Sequence, residues 1–219
     1  ILKIITKFLS GLIVVLLISS ISMYFITAGE YSVPKTVADD KSIPHIEIDG
    51  VVFHSETFGN DTNETVIVIH GGPGNDYKYL LPLKKLSDKY HLVFYDQRGT
   101  GLSPRVDKAE QSLENSLKDL ENIINYYAPN QKINIIGHSW GAMLASGYIA
   151  QNPERVKKAV LAEPGMLTSE KAKEYLQKFK VEFNWKVIKA MTVTAFESLH
   201  IKNPDKQARI DYIFGKIRS

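Results

Sequence analysis

The residues best suited to chemistry lie in Gly137-His138-Ser139-Trp140-Gly141. A serine with glycine two residues to either side is the pattern of a nucleophile elbow, a sharp passage from strand to helix that lifts the hydroxyl clear of the backbone. The flanking sequence agrees. Residues 132–136 read as a buried strand through Ile133, Ile135 and Ile136, and Trp140 to about Gln151 reads as a helix. Glycine is expected at 137 and 141 because a Cβ there would strike the neighbouring strand and helix, and because it tolerates unusual dihedrals. The hydroxyl would then stand at a helix N-terminus, where unpaired N–H groups can face a developing oxyanion.

Two further loops follow strand-like runs. His70-Gly71-Gly72-Pro73-Gly74 succeeds the β-branched stretch 65–69. A glycine-rich turn lets the backbone approach a substrate closely, and a main-chain N–H near Gly71 or Gly72 is a candidate second oxyanion donor. Asp96-Gln97-Arg98-Gly99-Thr100-Gly101-Leu102-Ser103 succeeds the strand candidate 91–95. Asp96 and Arg98 either pair with each other or cap backbone groups, and are assigned to loop architecture near the site.

In this order, HGGPG, DQRGTGLS and GHSWG resemble the proline iminopeptidase family of α/β hydrolases, serine aminopeptidases of the prolyl aminopeptidase type, over roughly residues 45–165. Epoxide hydrolases and haloalkane dehalogenases look similar but carry Asp where this chain has Ser139. The resemblance implies an α/β-hydrolase fold, a mainly parallel sheet with crossover helices and a helical lid insertion. It implies Ser139 as nucleophile, with Gly72 and Trp140 supplying the oxyanion N–H groups and hydrolysis through an acyl-enzyme without a cofactor or metal. One departure is His138, where prolyl aminopeptidases often have Gly; it bears on the preference for proline. Such enzymes order their triad as Ser, then acid, then His. The acid and histidine are expected beyond Ser219, and the chain as it stands is expected to be inactive. The one histidine after Ser139, His200, lies at a helix end, where it satisfies the helix dipole.

An aminopeptidase needs an anion to receive the substrate ammonium. Glu163, just past the strand candidate 160–162, is the first choice, and Glu170, Glu174 and Glu182 are weaker ones. Each also reads as a solvated surface charge. The alternatives are a carboxylic-ester hydrolase on the same scaffold, acting on a small ester instead of a peptide, and an inactive membrane-anchored remnant that lacks the base.

Composition bounds the remaining possibilities. The 219 residues are 44% hydrophobic and 23% charged, which suits one globular domain with an appendage. Lys+Arg 27 against Asp+Glu 24, interspersed, give a net +3 and no nucleic-acid groove. With Cys 0, thiol chemistry and disulfides are excluded.

Residues 8–28 carry no charged side chain and are long enough to cross a bilayer as a helix. Lys3 and Lys7 precede them, which favours a cytoplasmic N-terminus and a hydrolase domain outside the cytoplasm. An uncleaved anchor is expected, with a cleaved signal peptide as the rival. Residues 29–44 read as a linker and 45–167 as the hydrolase core. Within the core, 45–48 and 51–58 flank Asp49-Gly50 as a hairpin, and 80–90 and 112–127 read as crossover helices. Residues 168–219 read as the first part of a helical lid, in segments near 169–180, 182–200 and 204–217, with Phe179, Phe183, Trp185 and Phe196 in its own core or lining a pocket.

Overall fold

The computed structural model describes residues 2–72, 74–165, 184–202 and 205–218, with isolated positions at 170, 173, 174 and 177. They belong to two compact units, one of residues 35–179 and one of residues 1–34 with 180–219.

The larger unit is built on a six-stranded sheet. Its strands are β1 (His45–Ile48), β2 (Val51–Phe58), β3 (Thr65–Ile69), β4 (His91–Tyr95), β5 (Ile133–His138) and β6 (Val156–Ala162), in spatial order β1-β2-β4-β3-β5-β6. β1 and β2 form the expected hairpin, with Ile48 opposite Val51. Asp49 (φ 55°) and Gly50 (φ 74°) make the left-handed two-residue turn that matches strand twist. β2 runs antiparallel to β4, whereas β4, β3, β5 and β6 are mutually parallel.

Every residue of β3 and β4 is buried, and the two-residue period divides them between two faces. On one face Ile67, Ile69, Val93 and Tyr95 pack with Leu120, Ile123, Ile124, Leu144 and Tyr148, from the helices α2 (Leu113–Tyr127) and α3 (Trp140–Gln151). On the other, Val66, Val68, Leu92 and Phe94 pack with Tyr77 and with Leu80, Leu81, Leu83 and Leu86. β6 lies at the end of the sheet, pairs among the described residues with β5 alone, and leaves Val160 57% exposed.

The crossover between β3 and β4 departs from expectation. It is a 3-10 helix over Lys78–Leu86, not an α-helix over 80–90. Pro82 lies inside it, and in an α-helix its ring would clash with the carbonyl four residues back. α2 follows its amphipathic pattern, and its N-cap Ser112 accepts the Asn115 N–H at 3.1 Å.

The smaller unit contains α1 (Leu2–Ile26), α4 (Trp185–Ser198) and α5 (Lys206–Arg218). Ile5–Ile26 is long and apolar enough to cross a membrane. Its last turn meets residues far along the chain. The His200 ring lies 4.3 Å from the Tyr24 ring, and its Nε2 donates to the Tyr24 carbonyl at 2.9 Å. Tyr31, next to Tyr212 at 5.7 Å, donates to the Thr27 carbonyl at 2.7 Å. Trp185 is exposed. Phe179, Phe183 and most of segment 169–180 lie outside the described residues.

Candidate active site

Ser139 is the corner between β5 and α3. Its backbone has φ 52° and ψ −117°, outside the regions open to ordinary L-residues. A residue held there costs on the order of 1–3 kcal/mol and persists only where its surroundings over-determine it. Here they do. The Ser139 N–H donates to the Ala162 carbonyl at the end of β6 (2.9 Å), and its carbonyl accepts the N–H of Ala142 (3.0 Å) and of Met143 (3.1 Å). Its side chain makes no capping hydrogen bond, so the hydroxyl is not spent on the helix that it heads.

The two glycines of the motif act through space, and this corrects half of the expectation. Neither Gly137 nor Gly141 has a positive φ; the unusual dihedrals belong to the serine itself. A Cβ on Gly137 would lie 2.6 Å from the Gly141 carbonyl oxygen, and one on Gly141 would lie 2.3 Å from the Ile69 oxygen. Their absence lets α3 begin hard against β5 and the end of β3.

The loop after β3 reaches the same corner. A Cβ on Gly71 would come within 3.1 Å of the Ser139 Cβ. Gly72 (φ 140°) and Gly74 (φ 96°) take conformations that favour glycine, and a Cβ on Gly72 would meet the Gly74 N–H nitrogen at 2.8 Å. Pro73 lies outside the described residues. Among the described residues, no group accepts the N–H of Gly72 or of Trp140. Trp140, at the first position of α3, has no intrahelical acceptor within reach. The Gly71 N–H is occupied: it donates to the Tyr79 hydroxyl at 2.6 Å.

His70 fastens this loop from behind. It is fully buried, and burial pulls its pKa down, so the ring stays neutral. Nδ1–H donates to the Gly71 carbonyl at 2.7 Å, and Nε2 accepts the Gln97 N–H at 3.0 Å. The Gln97 side chain then joins all three motifs, giving a hydrogen bond to the His70 carbonyl (2.9 Å) and taking one from the Trp140 indole (3.0 Å). Nothing in the local sequence singles Gln97 out, since each of its partners comes from another loop.

Asp96 and Arg98 do not pair with each other. Asp96, fully buried, accepts the N–H of Tyr77 (3.0 Å) and of Leu102 (2.8 Å) and the Nδ1–H of His54 (2.7 Å). It is a capping residue, one of the two roles the sequence allowed. Arg98 makes a two-pronged contact with Asp119 on α2, at 2.8 and 2.6 Å, and this carboxylate holds the guanidinium pKa even higher than usual. Asp119 and His54 carry no sequence signal for these roles, because their partners lie far along the chain.

Glu163 also has a positive φ (47°) and follows β6, as expected. Its carboxylate is 89% exposed and stands 3.7 Å from His138 Nε2. Glu170 and Glu174 are isolated described positions, and Glu182 is outside the described residues. Among the described residues, no three His, Asp or Glu side chains gather as a metal site would require.

A parallel sheet with a strained serine at a strand-to-helix corner, facing a glycine-rich loop, defines a class. The sequence model for the alpha/beta hydrolase fold matches residues 64–186, more than half of the chain, and the chain belongs to that family. Among curated relatives, a proline iminopeptidase of Saccharolobus solfataricus is 27% identical over 202 residues, 89% of this chain and 61% of the relative. A cis-3-alkyl-4-alkyloxetan-2-one decarboxylase of Shewanella oneidensis is 32% identical over 104 residues, 47% of this chain and 33% of the relative. An epoxide hydrolase of Caenorhabditis elegans also matches. The chain thus spans less than two thirds of the length of these relatives. In fold, it resembles a proline iminopeptidase-related protein of Thermus thermophilus, with TM-score 0.51 and 18% identity over 78% of this chain and 55% of that one.

Proposed function

We propose that the protein is a serine hydrolase that removes N-terminal residues from peptides through an acyl-enzyme. The observation that carries this reading is the Ser139 backbone, strained at φ 52° with its hydroxyl free of the helix cap and Gly71 packed against it. The likeness to proline iminopeptidases supports the peptide substrate.

In this reading the Ser139 Oγ attacks the substrate carbonyl carbon while a histidine base takes its proton. The C–O bond forms, and the carbonyl electron pair moves onto oxygen. The Gly72 and Trp140 N–H groups receive that oxyanion, and losing one such donor costs about 2.7–4 kcal/mol of barrier. Collapse expels the amine, which takes the proton from the histidine, and water then releases the acyl group. His70 is not this base, because both its ring nitrogens are held by loop backbone.

Glu163, beside His138, would receive the substrate ammonium. Its exposure favours a second reading, a carboxylic-ester hydrolase with no ammonium site. Relatives named for other chemistries also match this chain. Comparing turnover of a free-amine peptide with its N-acetylated form separates the two readings, since equal rates would remove the aminopeptidase. Ser139→Ala is expected to abolish turnover and fluorophosphonate labelling while leaving the fold intact, and retained turnover would remove Ser139 as nucleophile.

The apolar helix is proposed to remain as a membrane anchor with the hydrolase unit outside the cytoplasm. Packing of Tyr24 with His200 supports retention, because cleavage near residue 28 would strip that partner away.

A further inference from the structure

The Tyr79 hydroxyl occupies a position that neither the motifs nor the proposed chemistry assigns. It accepts the Gly71 N–H at 2.6 Å and shares a hydrogen bond with His138 Nδ1 at 2.8 Å. Gly71 and His138 stand on either side of the nucleophile: Gly71 packs on the Ser139 Cβ, and His138 precedes Ser139 in the chain. One phenol oxygen therefore ties the glycine-rich loop to the elbow.

We infer that Tyr79 is a positioning residue that holds the oxyanion loop in register with Ser139; this rests on the serine-hydrolase reading above. The loop needs such a tether. Gly72 and Gly74 lie at positive φ, where glycine resists rotation least, and His70 grips the loop only from its buried side. Tyr79 supplies the grip on the side of the nucleophile. Its own place is firm. It belongs to the 3-10 helix whose leucines pack on Val66, Val68, Leu92 and Phe94. Tyr77, two residues earlier and just ahead of this helix, is buried with its N–H on Asp96.

The tether also decides which amide can act. With the Gly71 N–H spent on the phenol, the next peptide of the loop, at Gly72, is the one left to receive an oxyanion. Without the hydroxyl, the buried Gly71 N–H has no acceptor, and rotation of the loop to satisfy it would turn the Gly72 N–H away.

The test is Tyr79→Phe in the full-length protein, which keeps the ring and removes the oxygen. The expected result is a fall in kcat of about ten-fold or more, within the span for a displaced oxyanion donor. KM and the thermal midpoint should stay near wild type, and fluorophosphonate labelling of the folded fraction should slow by a similar factor. An unchanged kcat and labelling rate would overturn the inference, as would a loss confined to KM or to thermal stability. Ser139→Ala run in parallel separates the two claims: if it keeps turnover, the serine reading fails, and if it alone is dead while Tyr79→Phe is normal, only the tether fails.

Discussion

Gly141→Ala tests whether close approach, not dihedral freedom, is what the second glycine of the elbow provides. The added methyl would stand 2.3 Å from the Ile69 oxygen and 2.6 Å from the His70 oxygen. Both are backbone atoms at the end of β3, so no side chain can swing aside. Reaching a tolerable carbon–oxygen separation of about 3 Å requires the first turn of α3 to retreat by about 0.7 Å, and misplacement near 1 Å costs on the order of 10²-fold in rate. Trp140, with its proposed donor N–H, is adjacent and moves with that turn. Overpacking a tight contact also costs about 1–3 kcal/mol of stability. Gly147→Ala is the matched control on the same helix. Its methyl would meet Leu117 Cδ2 at 3.3 Å, the end of a side chain that can turn. There, alanine gains up to about 1 kcal/mol of helix propensity. Urea denaturation should show Gly141→Ala less stable and Gly147→Ala near or above wild type. Fluorophosphonate labelling should slow about 100-fold for the first and stay unchanged for the second. Labelling of Gly141→Ala within two-fold of wild type would refute the reasoning.

Ser139→Gly should be unreactive yet more stable than Ser139→Ala by about 1 kcal/mol, because glycine relieves the positive φ; equal urea midpoints for the two variants would count against strain at the elbow. Arg98→Ala should cost about 3–5 kcal/mol, since it leaves Asp119, only 5% exposed, as a buried carboxylate without its partner. Arg98→Lys should recover part of that loss but not the two-pronged contact, and a loss below about 1 kcal/mol for the alanine variant would contradict this account. His70 has its folded-state pKa pushed below the ordinary 6.5 by burial. Its contribution is therefore complete above that pH and is lost as pH falls from there toward the lower folded value, with a slope of up to about 1.4 kcal/mol per pH unit. His91 shifts the same way, also through burial, so the comparison is between wild type and His70→Gln, measured by urea midpoints at several pH values. Parallel profiles below 6.5 would remove His70 as a source of acid sensitivity.

The hairpin, the buried strands β3 and β4 and the helix α3 were legible because each depends on short-range signals: Asp49-Gly50, runs of β-branched residues, and an elbow with small residues after it. The 3-10 crossover was misread because the leucine spacing suits either winding, and Pro82 decided between them. At the elbow, the sequence marked Ser139 but placed the dihedral strain on its glycines. Strain settles on whichever residue the hydrogen bonds on both sides constrain, and here Ala162 and Ala142 constrain the serine. Gln97, Tyr79, His54 and Asp119 were invisible as site builders. Each works through a partner that only the tertiary fold brings near, at separations from 8 positions for Tyr79 with Gly71 to 59 for Tyr79 with His138. Loop glycines advertise themselves by type, whereas the polar side chains that hold them look like any others.

The pairing of Tyr24 with His200 spans 176 positions of the chain. During synthesis this helix is finished long before the Tyr24 ring and carbonyl find their partner on a later segment. An unrelated hydrophobic leader grafted in place of residues 1–28 would deliver the same greasy length but no ring for His200 to lie against. The apolar helix is thereby tied to its own unit at one end, and exchanging it removes that contact.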